Sequence, residues 1–231
     1  MITYLRTIGA DVFEFLYPVS CLVCGDRLRD ASHICTHCLE YAFEQANPDG
    51  RESCDGLIIP EWIVMQDSLW EFDKGGYLQD VLHHVKYSGL SDLGRTLGRQ
   101  LGLKLKINRF FTVDNETLLL PVPLHPSRQR KRGYNQSAVI AEGISKITGS
   151  EIVDESVIKR IKNTRTQTGL SAGVRKKNIA KAFQLHDPDM FHDARVLVVD
   201  DVITTGATML ELAGVIRPYC GHIGFATIAR A

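Results

Sequence analysis

No stretch of this sequence stays apolar for the roughly 18 residues that a bilayer span requires, so nothing in it reads as a membrane helix. The first segment, MITYLRTIGADVFEFLYP, carries Asp11 and Glu14 in its later half and has no small-residue cleavage site. It lacks the pattern of a secretory signal, and the expected location is cytoplasmic. Net charge is absent too: Lys plus Arg and Asp plus Glu both number 27. The chain as a whole therefore exerts no pull on nucleic acid, membrane or acidic substrates. There is no internal repeat and no low-complexity tract, which sets aside solenoids and linker-like chains. No Ser-His-Asp or Cys-His constellation stands out. His83 and His84 are adjacent on a helical segment and do not share one face.

What is present suits a globular domain with an appendage: 231 residues, 44% apolar and 23% charged, enough to bury a sizeable core. Ile2, Leu5, Ile8, Val12 and Leu16 predict an amphipathic helix ending before Pro18. LIIPEWIVM reads as strand-like, GGYLQDVLHHVKY as a helix burying Leu78, Val81, Leu82 and Val85, and LSDLGRTLGRQLG as another helix. TLLLPVPLHP is a short apolar strand running into a basic loop, SRQRKRG, and YNQSAVIAEGISKIT is helical. VIKRI opens a basic, aperiodic stretch; RVLVVDD is a buried strand, GATMLELAGVIRPY a helix and HIGFATIAR a last strand. Strand, loop, helix and strand at this spacing predict an α/β fold with an open, mainly parallel sheet flanked by helices. The expected division is residues 1–56, helix and cysteine knuckle, and residues 57–231, the α/β domain.

Four of the six cysteines fall in two Cys-x-x-Cys pairs, Cys21 and Cys24, then Cys35 and Cys38, with ten residues between the pairs. Without an export signal, metal ligation is preferred to disulfides. Four thiolates at this spacing suit a tetrahedral structural Zn2+, which leaves no open position for catalysis. His33 and His37 are alternative ligands, and a metal-free cluster is the bland reading. Cys54 and Cys220 have no partner at ligand spacing and read as core or half-buried residues.

The stretch VVDDVITTGAT asks for an explanation. It lacks the lysine of a nucleoside-triphosphatase loop and is not a Gly-x-Gly-x-x-Gly turn. Thr204, Thr205, Gly206, Ala207 and Thr208 surround a predicted helix start, where outward amides and hydroxyls make a phosphate cradle. Asp200 and Asp201 repel a phosphate but accept hydrogen bonds from sugar hydroxyls. A ribose 5-phosphate satisfies both halves. The bland alternative is a strand end followed by a capped helix.

VLVVDDVITTGAT closely resembles the signature loop of type I phosphoribosyltransferases. The whole arrangement resembles the ComF family, also called GntX-like, over nearly all of the chain: the knuckle, HHVKYSG, PVPLHPSRQRKRGYNQS, TRTQTGLSAGVRKKNIAKAF and the loop, in that order. The sequence departs from relatives with a second cysteine pair ahead of the core, since only Cys54 in SCDG stands there. The resemblance implies that phosphoribosyl pyrophosphate lies across the carboxyl ends of the strands. Asp200 and Asp201 would hold the ribose 2- and 3-hydroxyls and residues 204–208 the 5-phosphate, with Mg2+ bridging ribose and pyrophosphate. It further implies transfer or hydrolysis at ribose C1, a role linked to DNA uptake in natural transformation, and competence-machinery proteins as partners. A non-catalytic single-stranded DNA module and a nucleotide sensor are the alternatives.

Two segments concentrate basic charge: Arg128, Arg130, Lys131 and Arg132 in one, and eight Lys/Arg with no acidic residue from Lys159 to Lys181 in the other. Arg165, Arg175, Lys176 and Lys177 lie in the second. The first segment occupies the pyrophosphate-loop position of the resembled fold. This positive face suits a pyrophosphate leaving group with residues 165–177 closing over it, a single-stranded DNA backbone, or plain solvation. Lys86 in VKYSG either reaches an anion, as the family pattern implies, or lays its stem along the surface at a helix end. Asn135 and Gln136 are expected to support the loop. Tyr134, Tyr87 and Phe183 are candidates for stacking on a base and equally for packing.

Overall fold

The computed structural model describes residues 19–30, 32–46, 59–107, 111–163 and 181–231. The helix expected over residues 1–16 and the boundary expected near residue 56 lie outside them, as do Cys54, Arg165, Arg175, Lys176 and Lys177.

Five parallel strands form the sheet, in the order β1-β7-β6-β2-β3. They are β1 (Ile63–Glu71), β2 (Thr117–Pro121), β3 (Glu151–Ile152), β6 (Arg195–Ile203) and β7 (His222–Arg230). A second, two-stranded antiparallel sheet pairs β4 (Ile158–Arg160) with β5 (Phe183–Leu185). The helices are α1 (Thr36–Tyr41), α2 (Tyr77–Tyr87), α3 (Ser91–Lys106), α4 (Pro126–Arg132), α5 (Gln136–Thr148) and α6 (Ala207–Ile216). The expected α/β architecture is therefore present.

The central strand β6 explains the layering. Its side chains alternate between two apolar cores, as a strand requires. Leu197 and Val199 join the core containing α2, α3 and α5 residues, and Val196 and Val198 join the one containing α6 residues. Burial on both faces accounts for the unbroken apolar run. The strand expected around LIIPEWIVM begins later, at Ile63, after a turn in which the Ile63 amide donates to Pro60 O.

The order of strands locates a crevice. After β2 the chain passes through α4 and α5 to β3 on one side; after β6 it passes through α6 to β7 on the other. Connections diverge between β2 and β6, and open parallel sheets bind ligands outside the carboxyl ends of strands at such a point.

The segment SRQRKR, expected as a loop, is the helix α4. Pro126 stands in its first turn, His125 caps it by accepting the Ser127 amide, and Gly133 ends it in a left-handed cap. All three are helix-boundary signals that the density of charge obscured.

Candidate functional site: a cleft at the sheet switch point

A cleft of about 490 Å³ opens past the carboxyl ends of β2 and β6, where their onward connections diverge. Its floor is the end of β6 and the loop that follows. The strand runs through both aspartates to Ile203. Gly206 then adopts φ 67° as the N-cap of α6, and the Ala207 amide donates to Thr205 Oγ1 at 3.4 Å. A side chain at that φ is strained, which is why glycine stands there. Thr204, Thr205, Gly206, Ala207 and Thr208 all line the cleft, at the positive end of the helix dipole.

Adjacent strand residues face opposite ways, and the two carboxylates find different partners. Asp200 Oδ1 accepts the Ser137 hydroxyl at 2.7 Å and the Asp201 amide at 2.9 Å. Asp201 is 5% exposed, and its Oδ2 lies 2.5 Å from Lys86 Nζ at the end of α2. Burial, then the neighbouring Asp201 charge, pushes Asp200 up to about 7. Burial also works to raise Asp201, but the Lys86 ammonium outweighs it and holds that carboxyl below the usual range. The same pair raises the Lys86 pKa although burial opposes it.

The opposite wall is cationic. Arg128 and Arg132 of α4 and Arg160 of β4 line the cleft. Arg160 is 7% exposed, and burial, helped by the nearby Arg128 charge, brings it down to about 10. Burial and then Arg132 likewise lower Arg128. Arg132 donates to Gln136 Oε1 at 2.5 Å and lies over the Tyr87 ring, 5.2 Å from its centre. Arg130 and Lys131 are exposed on α4 and do not line the cleft.

The stretch Arg132–Ser137 ties this wall to the floor. The Tyr134 hydroxyl donates to Val85 O near the end of α2. Asn135 donates from Nδ2 to Val122 O at 3.1 Å, just past β2, and accepts the Ser137 amide as the N-cap of α5. Gln136 faces the cleft and Ser137 holds Asp200. Asn135 and Gln136, expected from sequence near the loop, stand between the two walls; Arg160 belongs to the basic segment that begins at Lys159, and Ser137 is an addition that sequence reasoning misses. A polar residue just inside a helix start is the only signal for Ser137.

The second cluster is the knuckle. Cys21, Cys24, Cys35 and Cys38 bring their sulfurs within 4.8 Å of one another, with Cys24 and Cys35 Sγ 3.7 Å apart. Four sulfurs about 2.3 Å from a tetrahedral centre would stand about 3.8 Å apart, so the set fits a metal ion such as zinc. Backbone amides of Val23 and Cys35 donate to Cys21 Sγ, and that of Cys38 to Cys35 Sγ, the hydrogen bonds a thiolate accepts. His37 stacks with Tyr41 at 5.1 Å and stands outside the cluster. Cys220, half-buried, donates to Ile216 O, and burial pushes it up to about 12. Among the described residues, no helix is long and apolar enough to cross a membrane.

No family model matches the chain. Individual proteins do. Competence protein F of Haemophilus influenzae is 32% identical over 198 residues, covering 85% of this chain and 78% of its own length. DNA utilization protein YhgH of Escherichia coli K12 is 31% identical over 194 residues, covering 84% and 82%. Competence protein ComFC of Bacillus subtilis is 28% identical over 98 residues, 42% of this chain and 36% of its own. With identity at this level across most of both chains, the protein belongs to the ComF family.

Proposed function

We propose that the cleft binds phosphoribosyl pyrophosphate and acts at ribose C1, by transfer or hydrolysis, in a cytoplasmic protein that serves DNA uptake. One observation carries the reading of the cleft. An anion-cradling loop, an adjacent pair of carboxylates and three guanidinium groups line a single crevice, and each suits a different part of that ligand. The loop at residues 204–208 takes the 5-phosphate on helix-start amides and threonine hydroxyls. The carboxylates take the ribose hydroxyls. Both bonds to Asp200 fall on Oδ1, which leaves Oδ2 for the sugar. Arg128, Arg132 and Arg160 take the pyrophosphate.

In the reaction the bond from C1 to the pyrophosphate oxygen breaks, pyrophosphate leaves with the electron pair, and an acceptor nitrogen or water bonds to C1. The guanidinium groups offset charge on the leaving group, and the carboxylates offset the positive charge that builds on the sugar ring. Mg2+ fits this donor set: substrate oxygens and Asp200 Oδ2 would hold it, and it would supply further neutralisation of the pyrophosphate. Zinc in the four-cysteine cluster would be structural, because four thiolates leave no open position.

Titration calorimetry with phosphoribosyl pyrophosphate and Mg2+ tests the reading. Saturable binding is expected, weakened at least about tenfold by Arg128→Gln or Arg160→Gln, as loss of a charged hydrogen bond predicts. No saturable binding to the wild type sinks it. Pyrophosphate release with a base or amine present would separate an enzyme from a nucleotide sensor that binds without turnover.

The names of the similar proteins, competence and DNA utilization, support the wider role, with competence-machinery proteins as its partners. Binding of single-stranded DNA is the second reading, and the exposed Arg130 and Lys131 outside the cleft favour it. Their replacement by glutamine should flatten the salt dependence of oligonucleotide binding by about 0.7 for each phosphate no longer neutralised. An unchanged slope would dismiss those two residues.

A further inference from the structure

The geometry points to Lys86 as a positioning residue: its ammonium takes the place of a divalent cation on Asp201, so that the cleft holds a sugar phosphate with no metal ion bound to that carboxylate. This rests on the phosphoribosyl reading for the sugar and on the protein's own residues for the metal.

Adjacent carboxylates at the floor of a cleft attract a divalent cation, because hard cations take oxygen ligands. Here a lysine stands in that place. Lys86 Nζ lies 2.5 Å from Asp201 Oδ2, and that oxygen is closed to solvent. A metal ion reaches it only by displacing the ammonium. Mg2+ competes poorly for such an oxygen, since it keeps several waters at about 2.0–2.1 Å in near-octahedral geometry. Asp200 is arranged differently: its Oδ1 accepts from neutral donors, the Ser137 hydroxyl and the Asp201 amide. Its Oδ2 is left to the ligand and to whatever metal ion the ligand carries.

The lysine is fixed in place rather than draped across the cleft. It is the residue before the last in α2, where the helix dipole favours a cation. Val85, just ahead of it, is fully buried, and its carbonyl accepts the Tyr134 hydroxyl. The stem of Lys86 therefore starts from an anchored point. Its side chain is 26% exposed and that of Asp201 7%, so the two charges meet largely out of solvent, where salt screens them least. Arg128, Arg132 and Arg160 stand on the opposite wall and serve the ligand's phosphates, which leaves the counter-charge for Asp201 to Lys86.

The test uses the zinc-loaded protein in buffer freed of other divalent cations by a chelating resin, with Mn2+ as the probe metal and titration calorimetry as the readout. The wild type should take up no Mn2+, and should bind ribose 5-phosphate equally with and without it. Lys86→Ala should gain one equivalent of Mn2+, and adding Asp201→Asn to it should abolish that uptake. Its affinity for ribose 5-phosphate should fall at least about tenfold without Mn2+ and recover with it. Loss of packing alone does not make sugar binding depend on a metal. Lys86→Gln removes the charge and keeps most of the length, and repeats both measurements if the alanine variant does not fold. Mn2+ uptake that is the same in wild type and variant, including none in either, overturns the assignment. So does a wild type that binds ribose 5-phosphate only with Mn2+. If ribose 5-phosphate binds under no condition, the phosphoribosyl reading falls, and Mn2+ uptake alone then decides the role of Lys86.

Discussion

Asp200 and Asp201 are neighbours in sequence, yet the alternation of a strand sends one to Ser137 and the other to Lys86. That division has a pH consequence. With its pKa raised to about 7 by burial and the Asp201 charge, Asp200 keeps a proton in the folded protein that the unfolded chain has lost above about pH 4. The native state then binds more protons than the unfolded state, so this group's contribution to stability falls as pH rises from about 4 through 7. Asp200→Asn cannot titrate and its amide oxygen can still accept the Ser137 hydroxyl. Its stability relative to wild type should therefore rise across that window, measured by urea midpoints at about pH 4.5 and pH 7.5; a constant difference would contradict the assignment. Removing the other partner is a separate case. Lys86→Met strands the Asp201 carboxylate and should destabilise by about 3 kcal/mol, and Lys86→Met with Asp201→Asn should recover part of that loss. Most of the proposed cleft was legible in sequence because the aspartates and the loop are contiguous. Ser137 was not, and of Arg160 only the basic charge was, since what matters in them is reach: Ser137 meets Asp200 across 63 positions, and the burial of Arg160 depends on how β4 packs.

Among the elements, the packing of α3 on α5 is the one most dependent on small side chains. A Cβ on Gly98 would stand 2.1 Å from Ile140 O, and one on Gly143 2.3 Å from Arg95 O. Backbone, not a movable side chain, blocks both positions. Gly98→Ala should push the helices apart and cost about 1–3 kcal/mol, read as a lowered urea midpoint with an unchanged slope. An unaffected midpoint would mean that the helices slide without cost. Because α5 begins at the residue that faces the cleft and continues to Ser137, such a shift should also weaken ligand binding. Sequence period found α2, α3, α5 and α6 because each buries a regular apolar stripe. It missed α4, which buries no residue fully. That helix rests on its end caps, and periodicity is blind to caps.

At the scale of the whole molecule, the cysteine knuckle is not a separate bead. Cys21, Cys38, Leu39 and Phe43 share one apolar core with Met65, Leu69 and Trp70 of β1. Phe43 and Trp70 rings are 4.6 Å apart, Gln45 bridges to Trp70, and the Ala46 and Glu71 amides bond across the junction to Leu69 O and Glu44 O. The knuckle has little apolar surface of its own, so a metal ion held by its four thiolates would contribute folding free energy that the shared core transmits. Two consequences can be measured. Folded, reduced protein should carry one equivalent of zinc. Stripping it with a chelator, or replacing Cys24 by Ser, should lower a single calorimetric transition rather than add a second one. Trp70, 1% exposed, reports the junction directly: in a Trp62→Phe background its fluorescence should shift to the red when the metal leaves. A separate low-temperature transition, or a Trp70 spectrum indifferent to the chelator, would show instead that the knuckle folds independently of the sheet.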